Sequence, residues 1–129
     1  MPHEMNYRVV LIVEDNPHLG RLYANILAHQ GFTVIQAIDE RHAIQWLARL
    51  TPDLVMLDLG MRMGIQVLEW IEERPGQFKD TRVVAVTDKI DSSMRHKFAF
   101  VLERPVSSHA LRGMAEHLTR PFSYRRYCA

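Results

Sequence analysis

Short apolar runs alternate along the chain with segments whose apolar residues recur every three or four positions. The runs at residues 7–13, 32–38, 54–57, 82–86 and 98–102 are nearly continuous in apolar, often β-branched side chains. Such runs are typical of strands that are buried on both faces of a parallel sheet. The segments between most of them have helical spacing. This order predicts a parallel α/β sheet with right-handed crossovers and helices on both faces.

Capping and stop signals divide the predicted helices. The expected helix starts are Asn16 with Pro17, Asp39, and either Ser107 or Ser108. Gly31 ends the first helix, and a third helix is predicted over residues 64–73. The residues that recur at helical spacing are Leu19, Leu22, Ile26 and Leu27; Ala43, Ile44, Leu47 and Ala48; Ile65, Leu68 and Ile71; and Leu111, Met114, Ala115 and Leu118.

The connection between the fourth and fifth strands, residues 88–97, is unusually short. Parallel crossovers usually need a dozen or more residues. Ten extended residues reach roughly 33 Å, which leaves little chain for a helix. The segment is polar and offers only Ile90 and Met94 for burial. We therefore predict a single helical turn or a loop where a fourth helix would otherwise lie.

The composition fits one domain. The chain has 129 residues and is 47% hydrophobic, enough for a single core, which we assign to residues 1–119. Residues 120–129 are expected to form a flexible basic and aromatic tail. With 16 basic and 15 acidic residues, the net charge of +1 predicts neither nucleic-acid nor membrane binding, and no helix-turn-helix pattern follows Thr119.

The sequence also indicates a compartment. Cys128 is the single cysteine, so no intramolecular disulfide can form, which fits a reducing environment. We see no leader sequence at the start and no apolar run near the ~20 residues that cross a bilayer. We therefore expect a cytoplasmic protein.

Polar residues close four of the predicted strands. Glu14 and Asp15 follow the first, Asp58 the third, Thr87 the fourth, and Arg104 lies just beyond the fifth. The carboxyl ends of parallel strands share one edge, where ligands bind. Three carboxylates form a hard-oxygen site that favours Mg²⁺, with Mn²⁺ as an alternative. A carboxylate beside a metal, a hydroxyl and a cation can accept a phosphoryl group.

These motifs, in this order, resemble the receiver domain of bacterial two-component response regulators of the chemotaxis-regulator type. The resemblance rests on VEDNP at residues 13–17, on DLVMLD at residues 53–58, and on the later Thr87 and Arg104-Pro105. It covers nearly the whole chain. It implies a flavodoxin-like doubly wound fold with five parallel strands in the order 2-1-3-4-5.

The resemblance also implies a role for each acidic residue. Asp58 matches the phosphoacceptor. Asp15 matches the direct metal ligand, and Glu14 matches a residue that acts mostly through water. The backbone carbonyl of Gly60 and the Asp58 carboxylate complete the implied metal ligands.

The remaining positions include departures from the family. Thr87 matches the hydroxyl that turns toward the phosphate, but Arg104 stands where the family has lysine, an exchange that is not conservative. The loop at residues 59–63 is about two residues short and lacks the family's proline. Asp88 replaces a small residue, and Val101 replaces an aromatic switch residue. We expect a remodelled signalling face that does not form the family's usual dimer.

The resemblance implies that Asp58 accepts a phosphoryl group from a sensor histidine kinase or a phosphotransfer protein, with Mg²⁺, and that the chain then alters an unidentified downstream protein. In that role the chain is not an enzyme, beyond its own phosphorylation and dephosphorylation. One alternative is a degenerate receiver that acts as a phosphorylation-independent interaction module. A more distant one is an enzyme with an aspartyl-phosphate intermediate, although no cap domain is visible.

Overall fold

The computed structural model describes residues 8–60 and 62–128, with side chains described through Leu118. Tyr7, the first residue of the first predicted strand, lies outside the described residues. The elements in chain order are β1 (Arg8–Val13), α1 (Pro17–His29), β2 (Phe32–Ala37), α2 (Glu40–Leu47), β3 (Leu54–Asp58), α3 (Arg62–Glu72), β4 (Arg82–Thr87), β5 (Phe100–Glu103) and α4 (Ser108–Cys128).

The five strands form one parallel sheet in the order β2-β1-β3-β4-β5. This confirms the predicted flavodoxin-like fold. The chain passes from β1 out to β2 and then back across β1 to β3, so the strand order reverses beside β1. In open parallel sheets, ligands bind at the carboxyl edge beside such a reversal of strand order.

Each face of the sheet carries its own hydrophobic core, because both faces of every central strand are apolar. α1 and α4 cover one face, where Ile12, Met56 and Val84 lie in the core. α2 and α3 cover the other face, where Leu11 and Val55 do so. The strands therefore cannot slip by one residue without placing side chains of the wrong shape in both cores.

The predicted capping residues begin their helices. The Asn16 side chain accepts hydrogen bonds from the backbone amides of His18 and Leu19 at 2.9 and 3.3 Å. Asp39 caps α2. Ser107, rather than Ser108, caps α4. Each oxygen satisfies an amide that has no partner within its helix.

Gly31 ends α1 in the left-handed region, with φ at 97°. This conformation strains any residue with a Cβ, so glycine is the natural stop at this point.

The buried face of α1 differs from the apolar spacing noted above. Gly20, Tyr23, Ala24 and Leu27 are buried, whereas Leu22 is 49% exposed. Neighbouring helical positions lie 100° apart, so a shift of one residue turns Tyr23 inward and Leu22 outward. Tyr23 thus reaches the core beneath the carboxyl edge of the sheet.

Two element boundaries also differ from the prediction. α3 begins at Arg62, two residues earlier than predicted, and this places Met63 in the buried core. β5 begins at Phe100 instead of Phe98, because the Phe98 amide still closes a turn onto the Arg95 carbonyl at 3.2 Å. The early start of α3 makes the loop after β3 very tight.

The β4–β5 connection, residues 88–97, contains one 3₁₀ turn, Arg95–Lys97, and no longer helix. Ile90 and Met94 are partly buried against the α2–α3 core. Lys97 forms a salt bridge with Glu72 of α3 at 3.2 Å. These findings confirm the predicted loss of the fourth helix.

The last helix is continuous as far as Cys128, beyond the domain boundary at residue 119. Leu111, Met114, Ala115 and Leu118 are all buried, as the helical spacing predicts. The side chains of residues 120–129 lie outside the described residues, so a separate tail stays a prediction. Among the described residues, no helix is both long and apolar enough to cross a membrane.

Candidate functional site at the carboxyl edge of the sheet

Three carboxylates meet at the switch point between β1 and β3. Glu14 and Asp15 directly follow β1, and Asp58 is the last residue of β3. One oxygen from each lies within 4.8 Å of the others, and we call these three residues the acidic cluster. Glu14 and Asp58 are each only 4% exposed, whereas Asp15 faces solvent. The sheet thus brings together the acids that the sequence predicted to meet.

Glu14 is the most strongly perturbed member of the acidic cluster. Its backbone amide donates to the Ala37 carbonyl at 3.1 Å, and one side-chain oxygen accepts from the Asn16 amide at 3.2 Å. Burial raises the pKa of the Glu14 carboxyl to about 7. The Asn16 amide opposes the rise, whereas the charge of Asp58 and side-chain hydrogen bonding with Asp58 and Asp15 reinforce it. Glu14 therefore gains from any nearby cation.

Arg104 supplies such a cation. Its Nη2 lies 2.6 Å from Asp58 Oδ1 and 3.5 Å from Glu14 Oε1, and its Nη1 lies 3.9 Å from Asp88 Oδ1. Its backbone amide donates to the Thr87 carbonyl at 2.9 Å, which fixes the start of the side chain at the sheet edge. Burial opposes the charge, but the bond and attraction to Asp58 and the attraction to Glu14 raise the Arg104 pKa above its usual range.

Two glycines lie close to the end of β3, Gly60 in the short loop and Gly64 in the first turn of α3. The Gly60 amide donates to Asp58 Oδ1 at 2.9 Å, and a Cβ at Gly60 would lie 3.2 Å from both this oxygen and Arg104 Nη1. A Cβ at Gly64 would overlap the Asp58 carbonyl oxygen. The backbone therefore approaches Asp58 from two sides. The role of the Gly60 carbonyl as a metal ligand stays a prediction.

Thr87 lies at the end of β4 and is 7% exposed. Its hydroxyl donates to the Lys89 carbonyl at 3.2 Å and accepts from the Lys89 amide at 3.4 Å. In this structure the hydroxyl thus closes a local turn at the start of the β4–β5 connection. Its predicted role toward a phosphoryl group requires it to leave that turn.

Sequence reasoning missed two residues near the acidic cluster. Tyr23 is 3% exposed; burial and the charge of Glu14 raise the pKa of its hydroxyl, and Arg104 opposes the rise. The Gln36 side-chain oxygen would lie 3.2 Å from a Cβ at Gly20, so it packs over the start of α1 beside Glu14. The sequence pattern that could have revealed Tyr23 is its helical spacing from Gly20, Ala24 and Leu27, which places all four residues on one face of α1.

The residues of the acidic cluster fit a divalent cation. Carboxylate oxygens are the ligands that Mg²⁺ prefers, and Mg²⁺ usually keeps several waters, so a partly open cluster with exposed Asp15 suits it. Two buried carboxylates with one neighbouring guanidinium also leave net negative charge to be neutralised.

Glu14→Gln should change how stability depends on pH. The Glu14 pKa rises from 4.5 unfolded to about 7 folded, so the folded protein holds an extra proton between these values. The stabilisation that comes from the preference of folded Glu14 for its protonated form is full below pH 4.5 and falls as pH rises toward 7. In EDTA, the variant should therefore gain about 2 to 3 kcal/mol over wild type on going from pH 4 to pH 8. Urea denaturation at both pH values measures this, and a constant difference would contradict the assignment.

Comparison with known proteins defines the class. The response regulator receiver domain family matches residues 10–102, and the chain belongs to this family. Domains of this family are typically phosphoacceptors that bind Mg²⁺ at an acidic site and interact with histidine kinases or phosphotransfer proteins. The acidic cluster lies where such a site is expected.

Individual relatives show the breadth of the family. The chain is 32% identical over 120 residues to hybrid signal transduction histidine kinase D of Dictyostelium discoideum, covering 92% of this chain and 7% of that protein. It is 28% identical to the phosphate regulon transcriptional regulatory protein PhoB of Escherichia coli, covering 95% of this chain and 49% of that protein. The chain thus spans about half or less of the length of these relatives.

Solved structures show the same fold. The chemotaxis response regulator CheY4 of Vibrio cholerae superposes with a TM-score of 0.78 at 18% identity, covering 88% of this chain and 99% of that one. At this identity the likeness speaks to the fold alone, and it agrees with the strand order described above.

Proposed function

We propose that this chain is a phosphoacceptor receiver in which Asp58 takes a phosphoryl group from a sensor histidine kinase or a phosphotransfer protein. The observation that carries the proposal is the place of Asp58. It lies at the end of β3, 4% exposed, within the acidic cluster and 2.6 Å from the Arg104 guanidinium. A carboxylate held between a cation and a metal site has the surroundings that phosphoryl transfer needs.

Each residue of the site would have its own role in phosphoryl transfer. One Asp58 oxygen would form the new bond to phosphorus while the bond from phosphorus to the donor atom breaks, and the dephosphorylated donor would leave with the electron pair of that bond. Glu14, Asp15, Asp58 and Gly60 would hold Mg²⁺, or Mn²⁺, which neutralises charge on the phosphoryl oxygens when bound. Arg104, and Thr87 after leaving its turn, would contact the phosphate.

Asp58→Asn should abolish phosphorylation. Incubation with acetyl phosphate and Mg²⁺ should add one phosphoryl mass to the wild-type protein and none to the variant, because an amide cannot attack phosphorus in place of the carboxylate. Intact-mass spectrometry measures this. Asp80→Asn, which precedes β4 at the opposite edge of the sheet, is the matched control and should be phosphorylated normally.

A second candidate function is a degenerate receiver that signals by binding alone. The short Arg104–Asp58 contact favours it, because the guanidinium already occupies the oxygen Oδ1 that also accepts the Gly60 amide. A wild-type protein that gains no phosphoryl mass and binds no beryllofluoride, a phosphoryl mimic, would establish this candidate and refute the first.

Asp88→Asn should speed phosphorylation by small anionic donors. The Asp88 side chain is 85% exposed and follows Thr87 directly, so its charge repels a donor that approaches Asp58. We expect the rate with acetyl phosphate to rise about threefold at low salt and less at high salt, where exposed charges are screened. Asp80→Asn again serves as control. Equal rates in Asp88→Asn and wild type would show that Asp88 does not limit access.

The signal of phosphorylation would have to leave this domain without the family's aromatic switch residue. Phe100 packs against the α1–α4 core and Val101 against the α2–α3 core, on opposite faces of the sheet. Val101 holds the position that the resemblance gives to the family's aromatic switch. Val101 gives Thr87 no large ring to move. We therefore assign output to the loops after β3 and β4 and not to a rotating aromatic side chain, with a protein as the downstream partner.

A further inference from the structure

The outer side of β2 has no neighbouring strand among the described residues. β2 lies at one edge of the sheet and pairs there with β1. The Ala37 carbonyl accepts a hydrogen bond from the Glu14 amide, so the backbone groups of Ala37 and of every second residue before it point toward β1. The N–H and C=O groups of Phe32, Val34 and Gln36 therefore point outward, away from the sheet.

β2 lacks the features with which natural proteins protect an edge strand. Its six residues, FTVIQA, include no charged residue and no proline. β5, at the opposite edge, has only four residues and ends in Glu103. Short length and edge charges both discourage pairing with another strand. β2 is therefore the edge of this sheet that is better suited to accept a further strand.

A groove of about 520 Å³ lies beside this edge, where the end of β2 meets the outer face of α2. The residues that line it, which we call the β2–α2 groove, are Gln36, Ile38, His42, Gln45, Trp46 and Arg49. Ile38 is 52% exposed and Trp46 is 39% exposed, and they are two of the three large apolar side chains that lie exposed among the described residues. An apolar groove beside a free strand edge suits the addition of a strand.

The charges along α2 favour a second copy of this chain as the occupant. Asp39 caps α2 and Glu40 is its first residue, at the carboxyl edge of the sheet, whereas Arg49 lies just beyond its other end. Antiparallel edge strands in one continuous sheet are related by a two-fold axis perpendicular to that sheet, which would also set the two α2 helices antiparallel on one face. The acidic start of each α2 would then lie beside Arg49 of the other copy.

Antiparallel pairing centred on Val34 would satisfy every outward backbone group of β2. Val34 would lie opposite Val34 of the second copy, and Phe32 would lie opposite Gln36. Phe32 and Val34 pack against the α1–α4 core, and the Gln36 side chain lies beside Gly20 of α1, so opposite residues share one face of the sheet. The register that the backbone requires is therefore also the one that keeps side chains on their own faces.

We propose that the free edge of β2 and the β2–α2 groove form an interface between two copies of this chain, joined by antiparallel β2 strands around a two-fold axis. The second copy would cover the exposed Ile38 and Trp46 side chains. The interface does not use the acidic cluster, and the inference does not depend on phosphorylation of Asp58.

The first test measures the self-association of the full chain by sedimentation equilibrium. The wild-type protein should form a dimer, and Thr33→Lys should raise its dissociation constant about tenfold, because it places a charge from each copy at the joined edge. Thr33 is exposed, so the lysine has room in the monomer. Ser92→Lys is the matched control: it adds the same charge at an exposed residue of the β4–β5 connection and should change the dissociation constant less than about twofold.

The second test exchanges the charges at the two ends of α2. Glu40→Lys and Arg49→Glu should each weaken the dimer about tenfold, because each variant paired with itself places like charges side by side at both ends of the helices. An equimolar mixture of the two variants should recover the wild-type affinity, because a dimer with one copy of each again pairs opposite charges at both ends. This recovery also shows that both variants fold.

Three results would overturn the proposal. A wild-type protein that stays monomeric would leave the β2–α2 groove to a partner of another kind. A dimer that Thr33→Lys leaves intact would place the interface elsewhere on the surface. A mixture of Glu40→Lys and Arg49→Glu that associates no more strongly than its components would exclude the antiparallel arrangement of the α2 helices.

Discussion

Gly64→Ala should destabilise the protein by roughly 3 kcal/mol, because the new methyl group has no space. A Cβ at Gly64 would overlap the Asp58 carbonyl oxygen and lie 2.9 Å from the carbonyl carbon. Both are backbone atoms of β3, so they cannot turn aside as a flexible side chain could. Either α3 or the end of β3 must move.

Gly113→Ala is a matched control within α4. Beyond its chain neighbours and the nearby backbone of its own helix, no atom lies within 4 Å of the Cβ that alanine would add there. Because alanine favours a helix over glycine, this variant should gain up to about 1 kcal/mol. Urea denaturation of both variants measures the contrast. A loss below about 1 kcal/mol for Gly64→Ala would show that the loop after β3 has room to relax.

Arg104→Met should cost about 3 kcal/mol at pH 8 in EDTA, because removing one partner of a buried ion pair leaves the other unpaired. Glu14 and Asp58 would then face each other without the cation that lies 3.5 and 2.6 Å away in the wild-type protein. The loss should shrink at pH 5, where Glu14, with its pKa raised to about 7, is protonated in the folded protein.

Lys97→Met is the comparison for this second variant. Lys97 and Glu72 form a salt bridge at 3.2 Å, but their side chains are 35% and 40% exposed. Exposed pairs such as this one contribute at most about 1 kcal/mol. Chemical denaturation of both variants at the two pH values separates the cases. Equal losses would show that the acidic cluster does not rely on Arg104.

The sequence predicted most of the fold because the strands are buried on both faces. Such strands appear as continuous apolar runs, and short connections leave few ways to arrange them. The juxtaposition of Glu14, Asp58 and Arg104 followed from the shared carboxyl edge of a parallel sheet. The missing fourth helix followed from the short length and the polar composition of residues 88–97.

Other features depend on tertiary packing that spacing does not encode. Leu22 and Tyr23 are both compatible with an apolar helix stripe, and only contact with the sheet turns Tyr23 inward. The early start of α3 depends on how closely Gly64 approaches the Asp58 backbone. The reach of Arg104 to two carboxylates is a matter of side-chain rotamer, which a position in the sequence does not specify.

The β4–β5 connection has a consequence for how this domain opens. Among the described residues, Ile90 and Met94 are the hydrophobic residues of its middle that pack against the core. β5 is a four-residue strand at the edge of the sheet, beside β4. Amide hydrogen exchange should find this edge fraying before the rest of the sheet. Arg104 directly follows β5 and is tied to Thr87 through its own amide, so fraying withdraws the guanidinium from Asp58. We therefore expect opening of this sheet edge to uncover the Asp58 carboxylate.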